Sequence, residues 1–298
     1  MRKVSSNNIQ LYKERGAKGI FFLSAFCSLG LLAAIVAFLF AYGAPLFSKV
    51  SLGDFLFGMS WSPLGEPPSY GIFPMIVTTI YVTLCSGIFG CVFGLFVAIS
   101  LFAFTPKKLV RPLRALIDLL AGIPSVIYGL FGMVVIVPFI RDYVSSNGVG
   151  YGILSASLIL SIMILPTMVG VSLDALNSVD RSFYEGALSL GSSKPQAVFK
   201  VMVPASKRGI LAATVLSTGR ALGETMAVIM VIGGSPQMPT SLTSPVRTLT
   251  ANIAMGAMEL TANPDAMNAL FCSGVVLFLF SLLLNVIFSL LEEGGKKR

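Results

Sequence analysis

Six stretches of this sequence are apolar over the length a bilayer demands, and that repetition leaves few folds open. They lie at roughly 19–43, 71–104, 114–140, 151–173, 209–234 and 267–291, each long enough to carry a helix across a hydrocarbon core of ~30 Å. Backbone groups in lipid must be hydrogen-bonded within the segment, so the runs read as helices. The fold class is therefore all-α: a polytopic membrane protein with six transmembrane helices. Composition agrees, with 11% charged residues and a mean hydropathy of +0.86, where a soluble domain carries about 25% charge. The second run is too long for one perpendicular span, so Tyr70–Pro74 is expected at the interface, with Pro74 at an early helical position.

Lys13, Arg15 and Lys18 precede the first run as the basic region of a signal peptide would. The run nevertheless exceeds a signal core of ~7–15 residues, and Pro45 follows the small-residue segment Ala41–Ala44. An uncleaved first span over 19–43 is expected, preceded by a tail at 1–18.

The chain's net charge of +8 is distributed as membrane orientation requires. Of the 21 Lys and Arg, only Lys49, Arg141 and Arg247 fall in the loops of one side, and Arg220 alone lies within a run. All others fall in the N-terminal tail, the loops after the second and fourth runs, or the tail at 292–298. Both termini and the loop at about 174–208 are thus expected in the cytoplasm. The basic residues form short clusters between apolar runs rather than one face, which argues against a nucleic-acid partner and for the lipid bilayer.

Histidine is absent, which excludes Ser-His and Cys-His catalysis and removes the commonest metal ligand. Cys27, Cys85, Cys91 and Cys272 all lie in apolar runs with no paired spacing and read as small hydrophobes. No GxxxxGK[ST] pattern occurs, so any ATP is bound by another chain. The chain itself is expected to hold no metal and no cofactor.

The loop at 174–208 reads as helix, turn, helix. Asp180 or Ser182 caps the first helix, Gly191 ends it, Ser192–Pro195 starts the second, and Pro204 closes that one. By physics alone this is either an ordinary interhelical loop or a compact bracket shaped to fill a partner's groove. The residues Glu185-Gly186-Ala187, then Gly191, then nine intervening residues and Val201-Met202-Val203-Pro204 resemble the EAA signature of ABC importer permeases. In that family Glu-Ala-Ala, a spaced Gly and a terminal Ile-x-Leu-Pro recur; Gly186, Val201 and Val203 are mild departures. The resemblance implies that the bracket is a coupling helix docking on a cytoplasmic ATPase subunit.

Arg220 and Glu224 stand inside the fifth run, where a charge costs roughly 2.5–3.5 kcal/mol on insertion scales and so faces protein or water. In an unbroken helix their spacing puts them on one face, able to pair. Two readings stay open, a neutralising bundle pair or a site on an anion path. Gly219 and Gly223 are expected to admit a neighbouring helix closely. Asp118 is expected to pair with Arg114, four residues earlier, at the cytoplasmic interface. Pro124 and Pro166 should kink their helices or free backbone carbonyls.

The stretches Gly122-Ile123-Pro124-Ser125-Val126-Ile127-Tyr128-Gly129-Leu130 and Gly219-Arg220-Ala221-Leu222-Gly223-Glu224-Thr225-Met226-Ala227-Val228 resemble the PstC permeases of phosphate importers. Sulfate and molybdate permeases share the Arg-Ala-Leu-Gly-Glu core but typically continue with Phe where Thr225 stands. The resemblance implies an ABC importer permease fold over 71–291 and a phosphate pathway at Arg220, Glu224 and Thr225. It implies ATPase coupling through Glu185, Gly186, Ala187, Gly191 and Pro204. It further implies a PstA-like second permease, two ATPase subunits and a periplasmic or extracellular phosphate-binding protein, in a bacterial inner membrane. Rivals are a sulfate or molybdate permease and a self-sufficient ion-coupled transporter. The latter needs paired helix breaks in internal repeats, which are not evident.

Overall fold

The computed structural model describes residues 2–294, leaving Met1 and the last four residues, with the tail cations Lys296, Lys297 and Arg298, outside the described residues. The described chain is almost entirely helical. Helix α1 (Arg2–Gly43) runs unbroken from the expected tail through the first apolar run. Its end packs on the last helix through Phe38, Tyr42 and Phe271, with ring centroids 4.4 to 5.4 Å apart.

A cap of short elements follows. It comprises α2 (Leu52–Phe57) and a hairpin in which β1 (Trp61–Ser62) pairs antiparallel with β2 (Ser69–Tyr70). Phe55, Trp61, Tyr70 and Ile72 are buried there against Leu249 and Leu270 from the far end of the chain. The loop is ordered because it has this apolar cluster to lose.

The second run forms α3 (Phe73–Ile99), with Pro74 in its first turn, and ends in a π-turn at Ser100–Phe104. Next comes α4 (Lys107–Ala121), then a break at Gly122–Pro124, then α5 (Ser125–Phe131), a π-turn at Gly132–Ile136 and α6 (Val137–Tyr143). The third run was expected as one helix over 114–140. Pro124 has no N–H to offer the Leu120 carbonyl; that oxygen instead accepts the Tyr128 hydroxyl at 2.8 Å and the Ile123 N–H at 3.2 Å, and the chain turns. The membrane-crossing part is thus Ser125–Tyr143 alone.

Helix α7 (Ile153–Ser178) forms the centre of the molecule and continues through Pro166. Its Ile159, Leu160, Met163 and Ile164 are fully buried. Glycines on α3 let the two backbones approach: a Cβ at Gly90 would lie 2.5 Å from Ile164, and one at Gly94 2.7 Å from Met168. Packing between small residues and branched neighbours is what membrane helices use where no hydrophobic effect drives them together.

The bracket follows as α8 (Arg181–Ser189), α9 (Lys194–Ala197), a π-turn at Val198–Met202 and α10 (Val203–Ala205). The fifth run becomes α11 (Lys207–Gly223) and α12 (Met226–Ile232), bent by 62° at Glu224–Thr225. A non-helical stretch leads to α13 (Leu249–Glu259), and α14 (Pro264–Gly294) forms the last apolar helix. Among the described residues five helices are long and apolar enough to span, and the bent α11–α12 pair, taken as one broken span, brings the number to six.

Candidate functional site: a broken helix and a punctuated bracket

The break in the fifth run is built by side chains that replace the missing helical bonds. At Glu224 the backbone turns extended, with ψ of 129°. Its carboxylate Oε1 accepts the Ala227 N–H at 3.1 Å, capping the first turn of α12, and its carbonyl accepts the Thr250 hydroxyl at 3.1 Å. Thr225 donates its hydroxyl to the Gly223 carbonyl at 3.3 Å. Thr250 is held in turn because α13 is anchored to α3, where the Leu249 N–H donates to Thr79 Oγ1 at 3.0 Å.

This geometry corrects the expected Arg220–Glu224 pair. The i, i+4 relation requires continuous helix, the helix stops at Gly223, and no ion pair joins the two among the described residues. Glu224 is half-buried and turned to α12, whereas Arg220 is exposed on this chain. The expected close approach at Gly219 and Gly223 is also not made within the chain, where a Cβ at either would meet nothing within 4 Å. Arg220 therefore stands on an open face beside two glycines.

Tyr128 and Thr250 are the two residues that reading the sequence did not single out. Tyr128 was legible in part, since it lies one turn after Pro124, and its hydroxyl donates to the Leu120 carbonyl that Pro124 has no N–H to serve. Thr250 had no local signal, because its partner is 26 residues away. Close contact beside the break comes from Gly129 on α5, where a Cβ would sit 3.0 Å from Ala227 Cα on α12.

A second correction concerns Asp118. Arg114 NH2 lies 3.0 Å from Asp174 Oδ1 on α7, while Asp118 is exposed and forms no ion pair among the described residues. The four-residue spacing on α4 loses because α4 docks beside α7, whose Asp174 reaches the guanidinium first.

In the bracket, Asp180 caps α8 by accepting the Ser182 N–H at 2.8 Å, and that bond holds its carboxyl below the usual carboxylate range. Gly191 ends the helix at φ +86°, and the Ser192 N–H reaches back to the Ala187 carbonyl at 3.0 Å. Ser193 and Gln196 exchange bonds as a capping box at the start of α9. Helical geometry ends at Ala205, one residue beyond Pro204. Val198 and Met202 bury against Ile99 and Leu176, fixing the bracket to the ends of α3 and α7. Ala187 is buried, whereas Glu185 and Gly186 are exposed beside Phe183 and Leu190, the last 89% exposed. Among the described residues no cluster of His, Cys, Asp and Glu is arranged to hold a metal ion.

A central helix bundle with a broken fifth crossing and a punctuated bracket between the fourth and fifth crossings defines the permease of an ABC transporter. An alginate ABC transporter solved with a periplasmic protein bound to an alginate pentasaccharide matches 93% of this chain and 96% of its own, with a TM-score of 0.63 and 16% identity. The MetNI methionine ABC transporter matches 75% and 95%, with a TM-score of 0.58 and 22% identity. Residues 90–294 match the family described as "Binding-protein-dependent transport system inner membrane component", and the chain belongs to it. Among relatives, Bacillus subtilis (strain 168) has a "Probable ABC transporter permease protein YqgH", 36% identical over 98% of this chain and 94% of its own. The phosphate transport system permease protein PstC of Haemophilus influenzae is 35% identical over 79% of each chain, and that of Pasteurella multocida 33% identical over 84% and 82%.

Proposed function

We propose that this chain is one of two permease subunits of an ATP-driven importer that carries inorganic phosphate across the bacterial inner membrane. The observation that carries the reading is its identity of 32–35% with several phosphate transport permeases named PstC, over most of both chains. The second permease is PstA-like, ATP is hydrolysed by two cytoplasmic ATPase subunits, and a phosphate-binding protein delivers substrate from outside. The cation asymmetry supports an orientation with both termini and the bracket in the cytoplasm.

In this reading Arg220 meets the anion. Its guanidinium is exposed on this chain and forms no ion pair among the described residues, and its planar fork matches two oxygens of a phosphate. Gly219 and Gly223 leave that face open to the second permease. Glu224 and Thr225 shape the pathway by holding the bend that carries it. The bracket couples the movement to ATP: Glu185 and Gly186 present the docking surface, buried Ala187 anchors it, Gly191 sets the turn, and Pro204 closes the second helix. Closure of the ATPases moves the bracket, and with it α7 and α11, as rigid bodies.

Phosphate uptake and complex abundance in Arg220→Gln, Glu224→Gln and the double variant test the pathway. Arg220→Gln is expected to assemble normally and lose more than tenfold in uptake. Glu224→Gln keeps an acceptor for the Ala227 N–H and is expected to assemble normally. Recovery of transport in the double variant would instead identify a structural charge pair and remove Arg220 from the path. Competition by sulfate as strong as by phosphate would return the chain to the sulfate or molybdate class.

A further inference from the structure

Helix α4 is placed at the membrane edge by its charges and left uncovered by the rest of the chain. Its fifteen residues include Lys107, Lys108, Arg111, Arg114 and Asp118, too many charges to cross a bilayer. Crossing is not asked of it, because Ser125–Tyr143 supplies 19 residues, about 28 Å of helix at 1.5 Å per residue. The sequence is sharply two-faced. Lys107, Arg111, Arg114 and Asp118 fall on one stripe at helical spacing, and Leu109, Leu113, Leu116 and Leu120 on the opposite one.

No residue of α4 is buried, and Leu116 and Leu119 are 60% and 68% exposed. Beside this apolar face runs a groove of about 380 Å³ between Leu113, Leu116 and Ile117 on α4 and Val97 and Leu101 on the neighbouring segment. Thr105 lines the same groove two residues before Lys107. Arg114 is engaged by Asp174, but Lys107, Lys108 and Arg111 are exposed and have no carboxylate partner among the described residues. Helix α4 therefore carries unpaired cations on one face and an apolar groove under the other, the arrangement of a helix lying in a membrane interface.

We propose that α4 and this groove bind an anionic phospholipid of the cytoplasmic leaflet, its phosphate held by Lys107, Lys108 and Arg111 and one acyl chain laid along Leu113, Leu116 and Ile117. Charge complementarity selects this occupant, since that leaflet carries the anionic lipids and α4 offers cations without counterions. The proposal rests on the cytoplasmic orientation adopted above, and not on which anion the transporter carries. The lipid holds α4 in the interface, and Arg114–Asp174 ties α4 to the cytoplasmic end of α7, so leaflet composition bears on the helix that carries the bracket.

The test uses the complete transporter in phosphatidylcholine vesicles with or without phosphatidylglycerol, with photoactivatable benzoylphenylalanine at Leu116 and its adducts identified by mass. The expected adduct is phospholipid, with phosphatidylglycerol over-represented at least about fivefold relative to the vesicle, since one juxtamembrane cation is worth about 1 kcal/mol. In Lys107→Gln/Lys108→Gln/Arg111→Gln the enrichment is expected to disappear. Adducts to another subunit, or lipid adducts in the vesicle's own ratio, overturn the proposal. Both are read on the otherwise unchanged chain, so they decide the matter even if the triple variant fails to assemble. Enrichment that persists in an assembled triple variant also overturns it. Labelling of Lys108→Cys from outside intact cells by an impermeant thiol reagent would instead show the orientation to be wrong, separating that failure from the others.

Discussion

Gly191 shows how far a single residue's chemistry can be read from its neighbours. A glycine ten residues after the helix start at Arg181, followed by Ser-Ser-Lys-Pro, reads as a helix end, and the residue adopts φ +86° there. A Cβ at this position would touch nothing within 4 Å, so the backbone conformation alone excludes other residues. Gly191→Val is expected to cost about 1–3 kcal/mol locally, because a β-branched residue is strained in the left-handed region. Subunit abundance should be normal while phosphate uptake falls severalfold. Gly191→Asn, which tolerates that region, should restore most of it. Uptake assays with abundance measured in parallel distinguish the two. Arg220 and Glu224 were equally visible as charges in an apolar run, but their relation was not. The pairing rule holds for an intact helix, and Glu224 has left the helix to serve Ala227.

At the scale of elements, periodicity and run length marked the spans, and prolines marked one of the two interruptions. The turn at Gly122–Pro124 follows from a missing N–H. The 62° bend at Glu224–Thr225 has no proline, and it exists because Thr250 and the Glu224 side chain compensate the lost bonds. The packing of α3 on α7 was not legible either, since Gly90 and Gly94 are spaced like many glycines in membrane helices. A Cβ at Gly90 would lie 2.5 Å from Ile164 Cγ1 and 3.1 Å from the Ser161 carbonyl. Gly90→Ala is expected to destabilise the assembled transporter by about 1–3 kcal/mol through overpacking. Ile164→Ala should destabilise it through a cavity. Combined, the two should cost less than their sum, because each relieves the other. Thermal stability of the purified complex for the four species of this cycle is the measurement. Strict additivity would mean that the contact does not set the helix spacing.

For the whole molecule, the cation asymmetry makes a prediction about sidedness. In a background lacking the four native cysteines, none of which is disulfide-bonded, Leu242→Cys is expected to react with an impermeant reagent on intact cells. Ser193→Cys is expected to react only after the membrane is opened. Reaction of Ser193→Cys from outside would invert the topology and move the bracket away from any cytoplasmic ATPase. What the sequence by itself determined was the number and place of the apolar runs, the uneven spread of Lys and Arg, and the caps that punctuate the bracket. These depend on solvent transfer and on bonds spanning a few residues, so a linear reading reaches them. Only the tertiary structure decided that Arg114 turns to Asp174 rather than Asp118, that Glu224 caps α12 rather than facing Arg220, and that the Tyr128 hydroxyl goes to the Leu120 carbonyl. Each of these is a choice among several possible partners, and the choice falls to the group that packing brings nearest, however distant it is in the chain.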